Sequence, residues 1–345
     1  MTKQPAKKQT AKKAPAMKAA KNAAKKASMS PQALAQEMLR LVTQHLGPDE
    51  LIVPEDVNAL IGSLSGPSPY DRLSDAEADA KNEAQQIAFD AMEAESEAKA
   101  RKLAKRALKL DPDCVDALLV MVDLDARSPR ETIEGLQKAV TAGERSLDAK
   151  FIDDYEGHFW MLIETRPYMR ALECLADAYR SQSISLDAIR IYEKMLKLNP
   201  NDNQGVRDPL IGLYLEAGDL NGAALLFKKY KDDASANFAW ARVLERFLAG
   251  DREGAGAALA KARKANPHME LFLTAQKPLP EEPPEMYSPG SEEEAVLSLG
   301  YLSGAWAEHK DAAHWLFDRL AEAKSGVVPS KAVLKKLPAA GKSVQ

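Results

Sequence analysis

Apolar residues fall in stripes of helical period along most of the chain, and in the second half the stripes return in register. Leu175, Ala176, Tyr179, Ala188, Tyr192 and Pro200 recur as Leu210, Ile211, Tyr214, Ala223 and Phe227, and again as Val243, Leu244, Phe247, Ala255, Leu259 and Pro267. The spacing is 34 to 35 residues, and the third pass needs a one-residue shorter turn at Gly250–Asp251. A unit of that length holds two amphipathic helices, which bury their apolar faces only by stacking on neighbouring units. Small residues at fixed places (Ala176, Ala188, Ala255) mark where neighbouring helices cross closely, since a larger side chain there would push them apart.

Weaker stripes precede these. Ser74 and Glu77 have capping-box spacing and open a helix through Ile87, Ala88, Ala91 and Met92. After Glu95–Ser96 the pattern resumes with Ala100, Ala104, Ala107, Leu108 and Leu110. A second degenerate pair holds Leu118, Met121 and Val122, then Ile133, Leu136, Ala139 and Val140, with Ser128–Pro129 at the turn and Gly143 at the end. Ser30–Pro31 starts an earlier helix carrying Leu34, Met38, Leu41, Val42 and Leu46. Ser291 and Glu294 repeat the capping-box spacing before Val296, Leu299, Leu302 and Trp306; Lys310–Asp311 makes a turn, and Ala313, Trp315, Leu316, Phe317 and Leu320 close the pattern.

The expected layout is a Lys/Ala-rich arm over 1–29, a helical hairpin over 30–66, two degenerate helical repeats over 74–143 and an insertion over 144–168. Three clearer repeats follow over 169–267, then a Pro-rich linker over 268–290, a capping hairpin over 291–323 and a basic tail over 324–345.

Charge alters this picture at one place. The net charge is −4, yet residues 1–30 carry nine lysines and no acidic residue, which leaves −13 for the rest. With no large apolar side chains, the arm is expected to be disordered in isolation. It suits a solvating role or weak, salt-sensitive, sequence-independent contact with nucleic acid through residues 1–28. Without arginine or interleaved aromatics it offers no base readout. Cys114 and Cys174 lie far apart and form no disulfide framework, which fits a reducing, cytoplasmic compartment. No apolar run approaches the ~18 residues that a membrane span needs, so no membrane partner is expected.

The units at 169–202 and 204–237 resemble tetratricopeptide repeats: Leu172, Leu175, Ala176 and Tyr179 on the first helix, Ala188, Tyr192 and Leu196 on the second, with Asn199–Pro200 ending it. The resemblance implies an all-α fold, a tetratricopeptide-like right-handed helical solenoid. A narrower likeness, carried by Phe159–Ala171 and Leu198–Gly205, is to bacterial repeat proteins grouped with the suppressor-of-tumorigenicity-seven family. That family offers no catalytic residues to carry over, and the apolar N-terminal segments of its animal members have no counterpart here.

The solenoid resemblance implies an inner groove lined by the first helix of each pair, binding an unidentified protein or peptide. Candidate groove residues are Arg170, Glu173, Asp177, Arg180, Asp208, Glu216, Phe238, Arg242 and Glu245. Some family members grip the C-termini of heat-shock chaperones with Lys, Asn and Arg; Glu173 and Asp177 stand at the matching places and would repel a carboxylate. A basic or amphipathic helical partner fits better.

The insertion gathers His158, Trp160, Glu164, Arg166 and Tyr168 close to Arg170. One reading is a structural joint in which these groups satisfy helix ends and one another. The alternatives are a recognition pocket, with Arg166 or Arg170 forking a carboxylate or phosphate beside Trp160 and Tyr168, and an active site on His158, Glu164 and Arg166. No nucleophile signature accompanies His158, so no catalytic residue is assigned. His158, His268, His309 and His314 form no metal-binding motif, and no Gly-rich phosphate loop occurs, so neither metal nor cofactor is expected.

Overall fold

A computed structural model describes residues 68–323 of the chain. The Lys-rich arm, the expected hairpin over 30–66 and the basic tail lie outside those residues. The described part is an all-α, tetratricopeptide-like helical solenoid, with no strand among the described residues.

Five antiparallel helix pairs follow one another: α1 (Asp75–Met92) with α2 (Glu97–Leu110), α3 (Val115–Asp125) with α4 (Pro129–Leu147), α6 (Arg166–Ser181) with α7 (Ser185–Leu198), α8 (Arg207–Glu216) with α9 (Leu220–Lys229), and α10 (Ala236–Leu248) with α11 (Arg252–Ala265). A short helix, α5 (Ala149–Asp154), and two 3₁₀ turns separate the second pair from the third. The short α12 (Met269–Leu273) and the long α13 (Glu292–Glu308) and α14 (Lys310–Ala323) complete the chain. The first helix of each pair packs on its own partner and on the second helix of the preceding pair. First helices also touch one another, α1 on α3, α3 on α6 and α8 on α10, which makes them the inner layer.

Local chemistry explains the boundaries. The Ser74 hydroxyl caps the Glu77 N–H, and the Glu77 carboxylate accepts the Ser74 N–H at 3.0 Å, so both halves of that capping box form. Ser128 caps α4 with Pro129 in the first turn, where its missing N–H costs nothing. Gly218 and Gly250 adopt φ of 71° and 77° in the turns of the fourth and fifth pairs, a left-handed conformation that favours glycine. The following Asp219 and Asp251 cap the next helix through the N–H groups of Gly222 (2.9 Å) and Gly254 (2.7 Å).

These two turns are built alike. The one at Gly250–Asp251 is therefore not shorter, and the fifth pair follows the fourth at 32 residues from Gly218 to Gly250. The position matching Tyr214, whose carbonyl accepts from Asp219, is Arg246, whose carbonyl accepts from Asp251; it is not Phe247. The small residues Ala176, Ala188 and Ala255 are fully buried.

Three other boundaries differ from expectation. Helix α4 runs on past Gly143 to Leu147, and Gly143 serves inside it as a contact point: a Cβ there would stand 2.6 Å from Cδ2 of Tyr168. The third pair begins at Arg166 rather than 169, with Pro167 in its first turn. The Pro-rich segment is anchored before it becomes extended: Met269, Phe272 and Leu273 of α12 are buried against the core.

The largest difference concerns the last two helices, which do not extend the stack as a cap. Helix α13 lies lengthwise on the inner layer, across α8 and α10, and α12 braces it. Gly212 and Gly304 permit the contact: a Cβ on Gly212 would stand 2.1 Å from the Tyr301 carbonyl oxygen, and one on Gly304 would stand 2.4 Å from Glu216 Oε2. Helix α13 runs in the same direction as α8. The Glu294 carboxylate accepts the Ala236 N–H at the start of α10 (3.1 Å) and the Asn266 side-chain amide (3.1 Å), and His309 Nε2 meets the Leu215 carbonyl at 2.7 Å. Glu294 therefore does not complete the capping box with Ser291; it also accepts the Gly290 N–H at 2.6 Å. Leu299, Leu302 and Trp306 are buried there. At about 1.5–3 kcal/mol for each buried large side chain, this helix is a constituent of the fold rather than a lid.

Candidate interaction groove

With α13 seated on α8 and α10, the described residues leave the inner layer open where α1, α3 and α6 line it. There the chain leaves a groove of about 710 Å³, lined among others by Met92, Leu119, Asp123, Arg170, Glu173 and Cys174. Its origin lies in the sequence of α1, whose buried residues Ala84, Ile87, Ala88 and Ala91 form one stripe. Phe89 and Met92 fall outside that stripe and stand 40% and 43% exposed, the latter in the groove. Glu95 and Ser96 between α1 and α2, Glu97 at the start of α2 and Asp123 on α3 also line it.

Arg170 and Glu173 are the two expected groove residues that line this opening. Arg170 is already engaged: its guanidinium forks the carboxylate of Asp116, with Nε to Oδ1 at 2.9 Å and the second contact from the terminal nitrogen to Oδ2. Asp116 is fully buried and also accepts from Gln85 at 2.6 Å, so three successive inner helices are tied through one carboxylate. Arg170 thus has its acid within the chain, and the reading in which it forks a partner's carboxylate is not what the geometry favours. Glu173 accepts from Gln204 at 2.5 Å, and burial, with the nearby carboxylates of Asp177 and Asp202, raises its pKa above the ordinary carboxylate value. Cys174 is exposed beside it; partial enclosure and the carboxylates of Glu173 and Asp177 push its thiol up.

The remaining groove candidates lie elsewhere. Asp177 accepts the Tyr192 hydroxyl, and Arg180 reaches α13, donating to the Gly300 carbonyl at 3.4 Å with its guanidinium 5.6 Å from the Tyr301 ring. Glu216 meets Gly304 under the same helix. Asp208 accepts from Asn237 at 3.1 Å, and burial raises its pKa to about 6. Phe238 is a core residue, 3% exposed, edge-on to Phe227 at 5.5 Å and to Tyr230 at 6.4 Å. Arg242 lies over the Phe227 ring at 3.5 Å, and the buried Glu245 carboxylate is held between Arg242 (3.5 Å) and Arg246 (3.3 Å). Phe238 and Glu245 therefore line no open surface; each sits on the face of α10 that a neighbour covers.

The insertion is built as a joint. Tyr168 is buried against Gly143 and donates to Glu144 at 3.0 Å, while Lys194 donates to the same carboxylate at 2.8 Å. Desolvation, with the Glu144 charge, raises the Tyr168 hydroxyl pKa far above its usual value. Arg166 stacks over Trp160 at 5.1 Å and donates to its carbonyl at 3.3 Å. Glu164 lines a small enclosed space with Tyr70, Lys81 and Asp111, whereas His158 is exposed. The three residues of the catalytic alternative thus serve separate surroundings. Among the described residues, no group of three His, Cys, Asp or Glu side chains is placed to hold a metal ion.

Asp116, Phe89 and Asp123 were not singled out from sequence, and Met92, expected in the apolar stripe of α1, is exposed instead. The signal available was the apolar pair Phe89 and Met92 lying off the buried stripe of α1. Asp116 carried none, because its partner Arg170 is 54 residues away.

Comparison with known proteins adds little. No protein-family model matches the chain, and no curated protein matches it. A solved structure from the functional characterization of Pseudomonas aeruginosa pilF is similar over 55% of this chain and 94% of its own, at 17% identity and a TM-score of 0.29. No helix among the described residues is long and apolar enough to cross a membrane.

Proposed function

We propose that the protein is a non-catalytic interaction scaffold that holds a segment of a protein partner in the open groove of α1, α3 and α6. One observation carries this reading: half of the inner layer is covered by the chain's own helix, and the other half is a groove in which Met92 is left exposed beside Leu119 and Val120. A helical segment suits it, because α13 already demonstrates how a helix beds on this layer. The separation of His158, Glu164 and Arg166 supports a non-catalytic role. The two unpaired cysteines support a cytoplasmic setting, and membership of the narrower bacterial repeat group rests on the Phe159–Ala171 and Leu198–Gly205 stretches alone. The nucleic-acid alternative rests on residues 1–28, since the acidic groove repels a polyanion.

Cys174 supplies the test. It is exposed in the groove while Cys114 is buried, and burial raises the Cys114 thiol pKa to about 11. A bulky maleimide therefore modifies Cys174 selectively. Protein modified in this way is expected to lose the partner that unmodified protein retains from the native host. Equal retention before and after modification removes the groove from consideration.

A further inference from the structure

We infer that the segment held in this groove is a basic amphipathic helix, a conclusion that rests on the groove reading above and gives it a partner class. The lining combines the apolar Met92, Ala94, Leu119 and Val120 with the carboxylates of Glu95, Glu97, Asp123 and Glu173. Arg170, the cationic side chain in the lining, is neutralised by the buried Asp116. Glu95, Glu97 and Asp123 are exposed and have no cationic partner among the described residues. Apolar lining interleaved with the uncompensated carboxylates of Glu95, Glu97 and Asp123 complements a helix with an apolar face flanked by lysine or arginine.

The resident helix sets the scale of the guest. Helix α13 lies lengthwise on α8 and makes its closest approach through glycine. A guest placed in the same way on α3, between α1 and α6, matches helices of 11 and 18 residues, about three to five turns. The alanines at positions 91, 94 and 100 leave room for such an approach.

The test uses the full-length protein and two labelled synthetic helices of about 16 residues with the same Leu/Ala face. One carries a lysine polar face and the other a glutamate polar face, and binding is read by fluorescence anisotropy. The lysine helix is expected to bind at least about tenfold more tightly at low salt, with the preference shrinking as salt rises. The double variant Glu95→Lys with Asp123→Lys changes only exposed side chains; it should abolish the preference, and maleimide on Cys174 should abolish binding. A glutamate helix that binds equally well and is blocked by the maleimide overturns the basic-partner inference and leaves the groove reading intact. A lysine helix whose binding is unaffected by both the double variant and the maleimide also overturns it, because attraction is then to the acidic body at large. If neither helix binds while maleimide still releases the host partner, the partner is not a basic helix, and again only this inference falls.

Discussion

The two halves of the inner layer differ in what covers them: α13 lies over α8 and α10, and α1, α3 and α6 line a groove. In α8, every residue from Pro209 to Leu215 is buried, and in α10 nine of thirteen residues are. A helix apolar on all sides needs cover on all sides. Its neighbours in the stack supply one side, and α13 supplies the other. In α1, by contrast, four residues in one stripe are buried, and the stack alone satisfies them. The presence of α13 over one half matches the continuous burial of α8 and α10, whereas the open half joins the single buried stripe of α1 to the apolar α3, whose Leu118, Leu119, Met121 and Val122 are only part-buried. Stability is concentrated under α13, and free surface beside α1.

If that division holds, the largest effect comes from Trp306→Ala, which empties a fully buried site beneath α13. It should cost about 3–5 kcal/mol, read as a lowered denaturation midpoint, without loss of groove binding by the protein that remains folded. Gly212→Ala should follow at about 1–3 kcal/mol, because its methyl group meets backbone that cannot turn aside. A neutral result at Gly212 would mean that α13 does not bed on α8.

The pH response sharpens the same contrast. Burial raises the Asp208 pKa to about 6, so the folded chain binds that proton more tightly than the unfolded chain, whose value is 3.8. This group's contribution to stability is then full below about pH 4 and falls as the pH rises towards and through 6. Asp208→Asn should remove that part of the pH dependence and stabilise the protein at neutral pH, measured by urea unfolding at pH 4 and pH 7. The smallest effect on stability is expected in the open half. Met92→Glu should change the midpoint by less than about 0.5 kcal/mol while weakening partner retention. A large loss of stability there would show that Met92 belongs to the core.

Much of the solenoid was legible because its signals are local. Capping residues at Ser74 and Ser128 and buried alanines at 176, 188 and 255 act within a helix or between consecutive helices. The final fold-back was not legible in the same way. Helix α13 returns across a Pro-rich segment that carries no periodicity, so nothing in the spacing says which surface it reaches. Reading Ser291 and Glu294 as a capping box was half right, because Glu294 is needed by Ala236 and Asn266. The unbroken buried run from Pro209 to Leu215 was the available sign that α8 takes a second neighbour. The site suffered most from this, since Arg180, Asp208 and Glu216 sit where the chain covers itself, and Phe238 and Glu245 face neighbours within the layer.

Tethering has a kinetic and thermodynamic meaning of its own. Helix α13 is joined to α12 by the Pro-rich segment over 274–291, pinned near its ends by the Lys277–Glu292 ion pair. A covalently attached ligand on such a leash competes at an effective concentration on the order of millimolar. A free helix at cellular abundance is outcompeted on α8 and α10 even when its intrinsic fit is equal. On the proposed groove reading, incoming ligands are thereby sorted toward α1, α3 and α6.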